Sequence, residues 1–219
     1  MSRRAFEARE AIVAVAQALD EAGHMPNKSG NVSCRSAGGM LITPSGVPYS
    51  ELAPPLIVEL GLDGTVLAGA AGLRPSSEWP MHAAVYARRP GFSAIVHTHS
   101  PDATALACAH RGIPAFHYMI ALAGGEIRCM PYATFGTAEL AERAVQGLEQ
   151  RRATLLANHG VVAAGRSLSE AQSVALEVEN LAGEYLALLA AGLEPVVLAE
   201  QEMRAVIEKF TDYGRIERE

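Results

Sequence analysis

The 219-residue chain predicts an α/β fold, a single three-layer α/β/α domain with a largely antiparallel central sheet. Three observations carry that expectation. Apolar β-prone segments arrive in pairs around tight turns, as hairpins do. Amphipathic helices are interleaved with those pairs rather than gathered at one end. No Gly-rich nucleotide loop follows a first strand, which weighs against a doubly wound parallel sheet. With no internal repeat, low-complexity tract or linker, residues 1–219 read as one domain.

Each element has a local reason. The opening segment places apolar residues at helical spacing as far as Ala22 and stops at Gly23, so it predicts an amphipathic first helix. A polar loop from Pro26 to Gly30 leads into a short strand at Asn31–Arg35. Ser36 to Gly39 turns it back into Met40–Thr43, and Thr43-Pro-Ser-Gly46 is a further tight turn. Asp63-Gly64 joins Leu56–Leu62 to Thr65–Ala68 as a hairpin. Ser76 or Ser77 is placed to cap a helix carrying Trp79 to Arg89, which ends before Pro90. Ala94–His99 reads as a strand and Pro101–Arg111 as a helix. After an irregular stretch come a strand at Glu126–Met130, a helix at Thr137–Gln150, and a strand pair, Thr154–Asn158 and Val161–Ala164, around His159-Gly160. Helices at Leu168–Ala191 and Ala199–Phe210 complete the chain.

Composition narrows the function. Hydrophobic residues make up 49% and charged residues 19%, an ordinary globular balance. The formal net charge of −6, without any run of Lys or Arg, excludes a nucleic-acid surface. An anionic ligand would therefore need a local cradle of amides, hydroxyls and perhaps one cation. The first segment has basic residues ahead of apolar ones, but Glu7, Glu10, Asp20 and Glu21 interrupt it, unlike a signal peptide or a membrane span. Cys34, Cys108 and Cys129 are odd in number and widely spaced, which fits free thiols in a reducing cytoplasm and offers no cysteine pair for a metal.

Two constellations carry chemistry. His97 and His99, two apart on an expected strand, put both imidazoles on one face. His159 beside Gly160 and Glu78 at a helix start would complete a set of three imidazoles and a carboxylate suited to tetrahedral zinc. Spacing alone leaves this open. Asn-His-Gly is a common turn, a helix N-terminus favours a Glu for its own sake, and His82, one helical turn from Glu78, competes as a ligand. The second constellation is three loops of small donors: Lys28-Ser-Gly-Asn31, Thr43-Pro-Ser45-Gly46 and Ser76-Ser77. Glycine amides, hydroxyls and a helix start make an anion cradle, although such turns also occur without ligands.

Taken together, the stretches SGNVS, MLITPSGVPY, PSSEWPMHAAVY, IVHTHS, IPAFHYMIALAGG, MPYATFGTAEL, ATLLANHG and EKFTDYG resemble the class II aldolases of the aldolase/adducin family, in family order over almost the whole chain. The resemblance implies one Zn2+ per chain on Glu78, His97, His99 and His159. It implies a substrate phosphate on Gly30, Asn31, Ser45, Gly46, Ser76 and Ser77, with Glu78 as catalytic base. Tyr118 matches a tyrosine that reaches a neighbouring subunit's site, and Phe135, Phe210 and Tyr213 match positions at the aldehyde end. The family's enzymes are homotetramers with sites between subunits. The implied reaction is reversible cleavage of a phosphorylated ketose to dihydroxyacetone phosphate and a small aldehyde. L-fuculose 1-phosphate and the 5-deoxy- and 5-methylthio-ribulose 1-phosphates are the candidate substrates. Two departures stand out: Lys28 replaces a small hydroxyl residue, and Ser45 replaces a threonine. The lysine either joins the phosphate site or points to solvent. A pentulose-5-phosphate 4-epimerase, a methylthioribulose-1-phosphate dehydratase and a non-enzymatic adducin-like interaction module are the alternatives.

Overall fold

In a computed structural model that describes residues 3–212, the chain opens with helix α1 (Arg3–Glu21), which buries Ile12, Val13, Val15, Ala16 and Leu19. Strands β1 (Asn31–Ser36), β2 (Gly39–Ile42), β3 (Val58–Leu60) and β4 (Val66–Ala68) follow. Helix α2 (Trp79–Arg88), β5 (Ala94–Thr98) and α3 (Pro101–Cys108) form the middle of the chain. Then come β6 (Cys129–Met130), α4 (Ala138–Gly147), β7 (Ala153–Leu156), β8 (Gly160–Gly165), α5 (Leu168–Ala190) and α6 (Glu200–Asp212). The stretch that sequence leaves irregular contains a 3-10 turn at Tyr118–Ala123.

One eight-stranded sheet runs in the order β4-β3-β2-β1-β5-β8-β7-β6. The expected pairing pattern needs one correction: the sheet is mixed. The pairings from β4 across to β7 are antiparallel, but β6 joins β7 in parallel. The reason is the connection. Between β6 and β7 stands a whole helix, α4, and a helical crossover returns the chain in the same direction where a tight turn cannot.

Strand alternation splits the core in two. Val32, Leu41, Val96, Leu155 and Val161 face the α1, α3 and α5 side. Met40, Ile42, Ile95, Leu156 and Val162 face α2 and α4. Helices thus cover both faces, and β1, β5 and β8, in the middle of the sheet, are shielded from water on both. Capping follows the sequence in α4 and α5, where Thr137 and Ser167 accept from the amides of Leu140 and Glu170. In α2 it does not. Glu78 occupies the N-cap position, and Ser76 Oγ instead accepts from the Glu78 amide at 3.3 Å. Neither serine caps that helix, and both line the cleft described next.

Candidate metal centre and adjoining cleft

Ends of central elements bring the ligand candidates together. His97 lies within β5 and is fully buried. His99 falls just past the strand's end, a correction to the expected strand, and its backbone N–H donates to the His24 carbonyl at 3.0 Å. His159 sits in the turn between β7 and β8, with its N–H on Leu156 O at 3.1 Å. That turn requires Asn158 at φ 55°, a left-handed conformation that asparagine tolerates better than most side chains. Asn158 is pinned there: its side-chain oxygen accepts from His110 Nε2 at 2.6 Å and its amide donates to Ala107 O. Glu78 enters from the start of α2.

The four side chains converge, each presenting a ligand atom within 4.8 Å of the other three. Glu78 Oε2 is 3.0 Å from His97 Nε2 and Oε1 is 3.2 Å from His159 Nε2. His99 Nε2 lies 3.1 Å from His97 Nε2. The rings meet edge to face, with centroids 4.9, 4.9 and 5.0 Å apart. His97 Nδ1 donates to Val161 O at 2.7 Å, so its Nε2 turns a lone pair inward. Two imidazole lone pairs 3.1 Å apart repel unless a cation or proton lies between them. Buried Glu78 Oε1 likewise has no hydrogen-bond donor, the kind of orphan that a cation satisfies. The donor set therefore fits a divalent metal that accepts imidazole and carboxylate.

Electrostatics agree with the geometry. Burial acts against the Glu78 carboxylate, but His97 and His159 outweigh it and hold the carboxyl far below its ordinary range. Burial, then the facing His97 and His159 rings, pushes His99 down to about 3. His97 is raised: burial opposes its charge, and Glu78 more than compensates.

The structure decides the competition from His82. This ring is fully buried and does not join the ligand cluster. Its Nδ1 lies 2.6 Å from Ser33 Oγ, and its Nε2 is bonded to Asn31 Oδ1. Burial, then the charge on His97, pushes it down to about 3, so the ring is neutral.

Beside the cluster opens a cleft of about 300 Å³. Its lining includes Lys28, Gly30, Asn31, Ser45, Gly46, Ser76 and Ser77 together with Glu78, His99, His159 and Phe135. All three donor loops thus meet the metal candidates in one hollow. Gly30 shows why they are so close. Its φ is +76°, and a Cβ there would sit 2.5 Å from the His97 carbonyl oxygen, so the loop rests directly on β5. Tyr49 OH holds the same loop, 2.8 Å from Gly30 O and 3.1 Å from Ser29 O. Lys28 is exposed at the rim with φ 65° and makes no ion pair among the described residues. Sequence reasoning missed Tyr132, Ala133 and Asn158 as lining residues. The neighbours Phe135 and His159 were the only local signal for them.

Some expected residues are not brought to this cleft by the same chain. Tyr118 is half exposed at the start of the 3-10 turn, and its ring stacks on Phe210 with centroids 6.4 Å apart. Neither lines the hollow. Tyr213 lies outside the described residues.

Comparison with known proteins gives the same picture. The profile of the class II aldolase and adducin N-terminal domain matches residues 10–186. A 5-methylthioribulose-1-phosphate/5-deoxyribulose-1-phosphate aldolase of Rhodospirillum rubrum is 45% identical over 207 residues, covering 94% of this chain and 92% of that one. The L-fuculose phosphate aldolase of Escherichia coli K12 is 48% identical over 191 residues, covering 86% and 87%. A solved L-fuculose 1-phosphate aldolase superposes with a TM-score of 0.90 at 39% identity, covering 96% of this chain and 98% of its own.

Proposed function

The chain belongs to the class II aldolase and adducin family, and from that premise we propose that it is a zinc-dependent aldolase that reversibly cleaves a ketose 1-phosphate to dihydroxyacetone phosphate and an aldehyde. L-fuculose 1-phosphate and the 5-deoxy- and 5-methylthio-ribulose 1-phosphates, named for its relatives, are the substrates to test first. One observation carries the reading: Glu78 belongs to two sites at once, the imidazole cluster and the small-donor cleft. A carboxylate so placed can bind a metal in the resting enzyme and exchange a proton with a substrate that displaces it.

Ser45, Ser76 and Ser77, with the amides of Gly30 and Gly46 and the Asn31 side chain, bind the substrate phosphate, and Lys28 adds a cation at the rim. Anchoring the phosphate sets the reacting carbons at a constant distance from Glu78 and turns remote binding energy into orientation. Zinc held by Glu78, His97, His99 and His159 would supply Lewis acidity, drawing charge from the substrate's keto and hydroxyl oxygens. Tyr118, supplied by a neighbouring copy in a homotetramer, or a water that it orients, takes the hydroxyl proton from the departing carbon and passes it to solvent, and that carbon becomes the aldehyde. The electron pair of the broken carbon–carbon bond stays beside the ketone, and Glu78, once it has taken up a proton from solvent, delivers the proton that completes dihydroxyacetone phosphate. Phe135, with Phe210 and Tyr213 from another copy, lines the aldehyde end. Three free, widely spaced thiols support placing the enzyme in the reducing cytoplasm.

A panel of ketose 1-phosphates, assayed by coupled detection of dihydroxyacetone phosphate, tests the reading. Turnover of at least one member, abolished by a chelator and restored by zinc, is the expected result. Release of no dihydroxyacetone phosphate from any of them by zinc-loaded protein would overturn it.

A further inference from the structure

His82 needs a role, since burying an imidazole away from both water and the ligand cluster costs free energy that an apolar residue would not incur. Its surroundings supply one. Glu78, His82 and Tyr86 lie four residues apart along one ridge of α2, and Asn31 and Ser33 lie two apart on one face of β1. Laid together, the ridge and the strand make a continuous hydrogen-bonded file: Tyr86 OH to Ser33 Oγ at 2.8 Å, Ser33 Oγ to His82 Nδ1 at 2.6 Å, His82 Nε2 to Asn31 Oδ1, and Asn31 Nδ2 to Glu78 Oε2 at 3.0 Å.

Chemistry permits one direction through this file. The Glu78 carboxylate only accepts, so Asn31 must present its NH2 to it. Asn31 Oδ1 then faces His82 and only accepts, so His82 carries its proton on Nε2. The bare Nδ1 accepts from the Ser33 hydroxyl, whose oxygen accepts in turn from Tyr86. Reversing any member sets two acceptors or two donors face to face in a dry core. Nor is the file a proton wire to water: Tyr86 is 1% exposed, His82 and Ser33 are fully buried, and a carboxamide is a poor proton carrier.

We propose that His82 is a positioning residue for the aldol reaction, locking the Asn31 amide so that it donates to Glu78 and holds that carboxylate between the metal cluster and the cleft, with Ser33 and Tyr86 fixing the His82 tautomer. The kinetic consequence rests on the aldolase reading; the positioning itself does not.

The test uses full-length, zinc-loaded protein. By NMR, the Asn31 side-chain amide should exchange slowly in the wild type and at least about tenfold faster in His82→Leu, since a lost hydrogen bond to a charged group is worth that much or more. His82→Gln, which restores a donor near the Nε2 position, should recover slow exchange. Ser33→Ala, a milder change, strips the donor from Nδ1 while Asn31 keeps the proton on Nε2; it should shift the Nδ1 15N signal and speed Asn31 exchange by a smaller factor, and it serves if His82→Leu does not fold. In turnover, His82→Leu should lower kcat roughly tenfold to a hundredfold with zinc content unchanged. The same change made in an Asn31→Ala background should cost almost nothing more, because the two residues act as one unit. Fully additive losses, or Asn31 exchange unchanged in His82→Leu, would overturn the proposal. Should the wild type turn over no ketose 1-phosphate, the aldolase reading falls while amide exchange and tautomer still decide the positioning.

Discussion

Glu78 is the residue on which both sites depend. Burial opposes its charge, two imidazoles restore it, and Asn31 supplies a hydrogen bond from the third side. Glu78→Gln keeps the size and leaves three imidazoles in place, so zinc content measured by mass spectrometry should largely survive. Turnover should fall by roughly a hundredfold to ten-thousandfold, the usual worth of a positioned acid–base group. Exchange of the dihydroxyacetone phosphate proton with solvent should vanish in parallel, and wild-type exchange would demote Glu78 to a ligand alone. His159→Ala should instead empty the metal site, whereas His82→Ala should not, because His82 stands outside the cluster. At the rim, Ser77→Ala should raise KM for phosphorylated substrates. Lys28→Thr should raise it roughly tenfold to a hundredfold if the lysine pairs with the phosphate, the range of a charge-assisted hydrogen bond. An unchanged KM in Lys28→Thr, with Ser77→Ala impaired, would leave the phosphate to neutral donors.

At the scale of elements, the site depends on how segments are tied at their ends. Helix α3 begins right after His99, and Ser100 stands at its N-cap, yet the Ser100 hydroxyl is buried without a hydrogen bond. The cap comes from α5: Glu179 accepts from the amides of Asp102 and Ala103 at 2.8 and 2.9 Å. An anionic acceptor on a helix N-terminus is favoured by the dipole as well as by the bonds. Glu179→Ala should therefore cost about 1–3 kcal/mol, seen as a thermal midpoint lower by several degrees, with weaker zinc retention as His99 loosens. A stable variant with normal zinc affinity would show that α3 is held by packing alone. The donor loop behaves differently. Gly30→Ala places a methyl in a left-handed residue, costing about 1–2 kcal/mol, and drives it into the His97 carbonyl. Both phosphate affinity and metal retention should fall together, since one loop leans on the other's strand. Loss of phosphate affinity alone would show that the loop yields without moving β5.

The whole molecule raises the question of completeness. Within one chain the cleft holds the metal candidates and the donor loops, while Tyr118 and Phe210 stack on each other elsewhere. If sites lie between subunits as proposed, a Glu78→Gln chain and a Tyr118→Phe chain each lack a different half. Unfolding and refolding the two inactive variants together should then restore activity that neither shows alone. Activity of the mixture no greater than the sum of the separate samples would place every working residue within one chain. At this scale too, the sheet's one parallel pairing follows from chain direction: α4 is too long a connection to act as a hairpin.

Much of this was legible in the order of residues, and the reason is locality. Periodicity over α1, the hairpin turn at Asp63-Gly64 and the caps at Thr137 and Ser167 are interactions among near neighbours, so the sequence by itself determined them. Motif order was likewise enough to place Glu78, His97, His99 and His159 in one group. What only the tertiary structure decided involves partners far apart in the chain. The Ser76 and Ser77 hydroxyls are drawn off the helix cap because a glutamate that faces three imidazoles occupies it. The α3 cap is filled from α5, across 77 positions. His82 could be placed beside Glu78 by helix spacing, but whether it faces metal or core depended on which strand packs against α2. That strand is β1, and its two inward polar residues, Asn31 and Ser33, claim both ring nitrogens before any ion could.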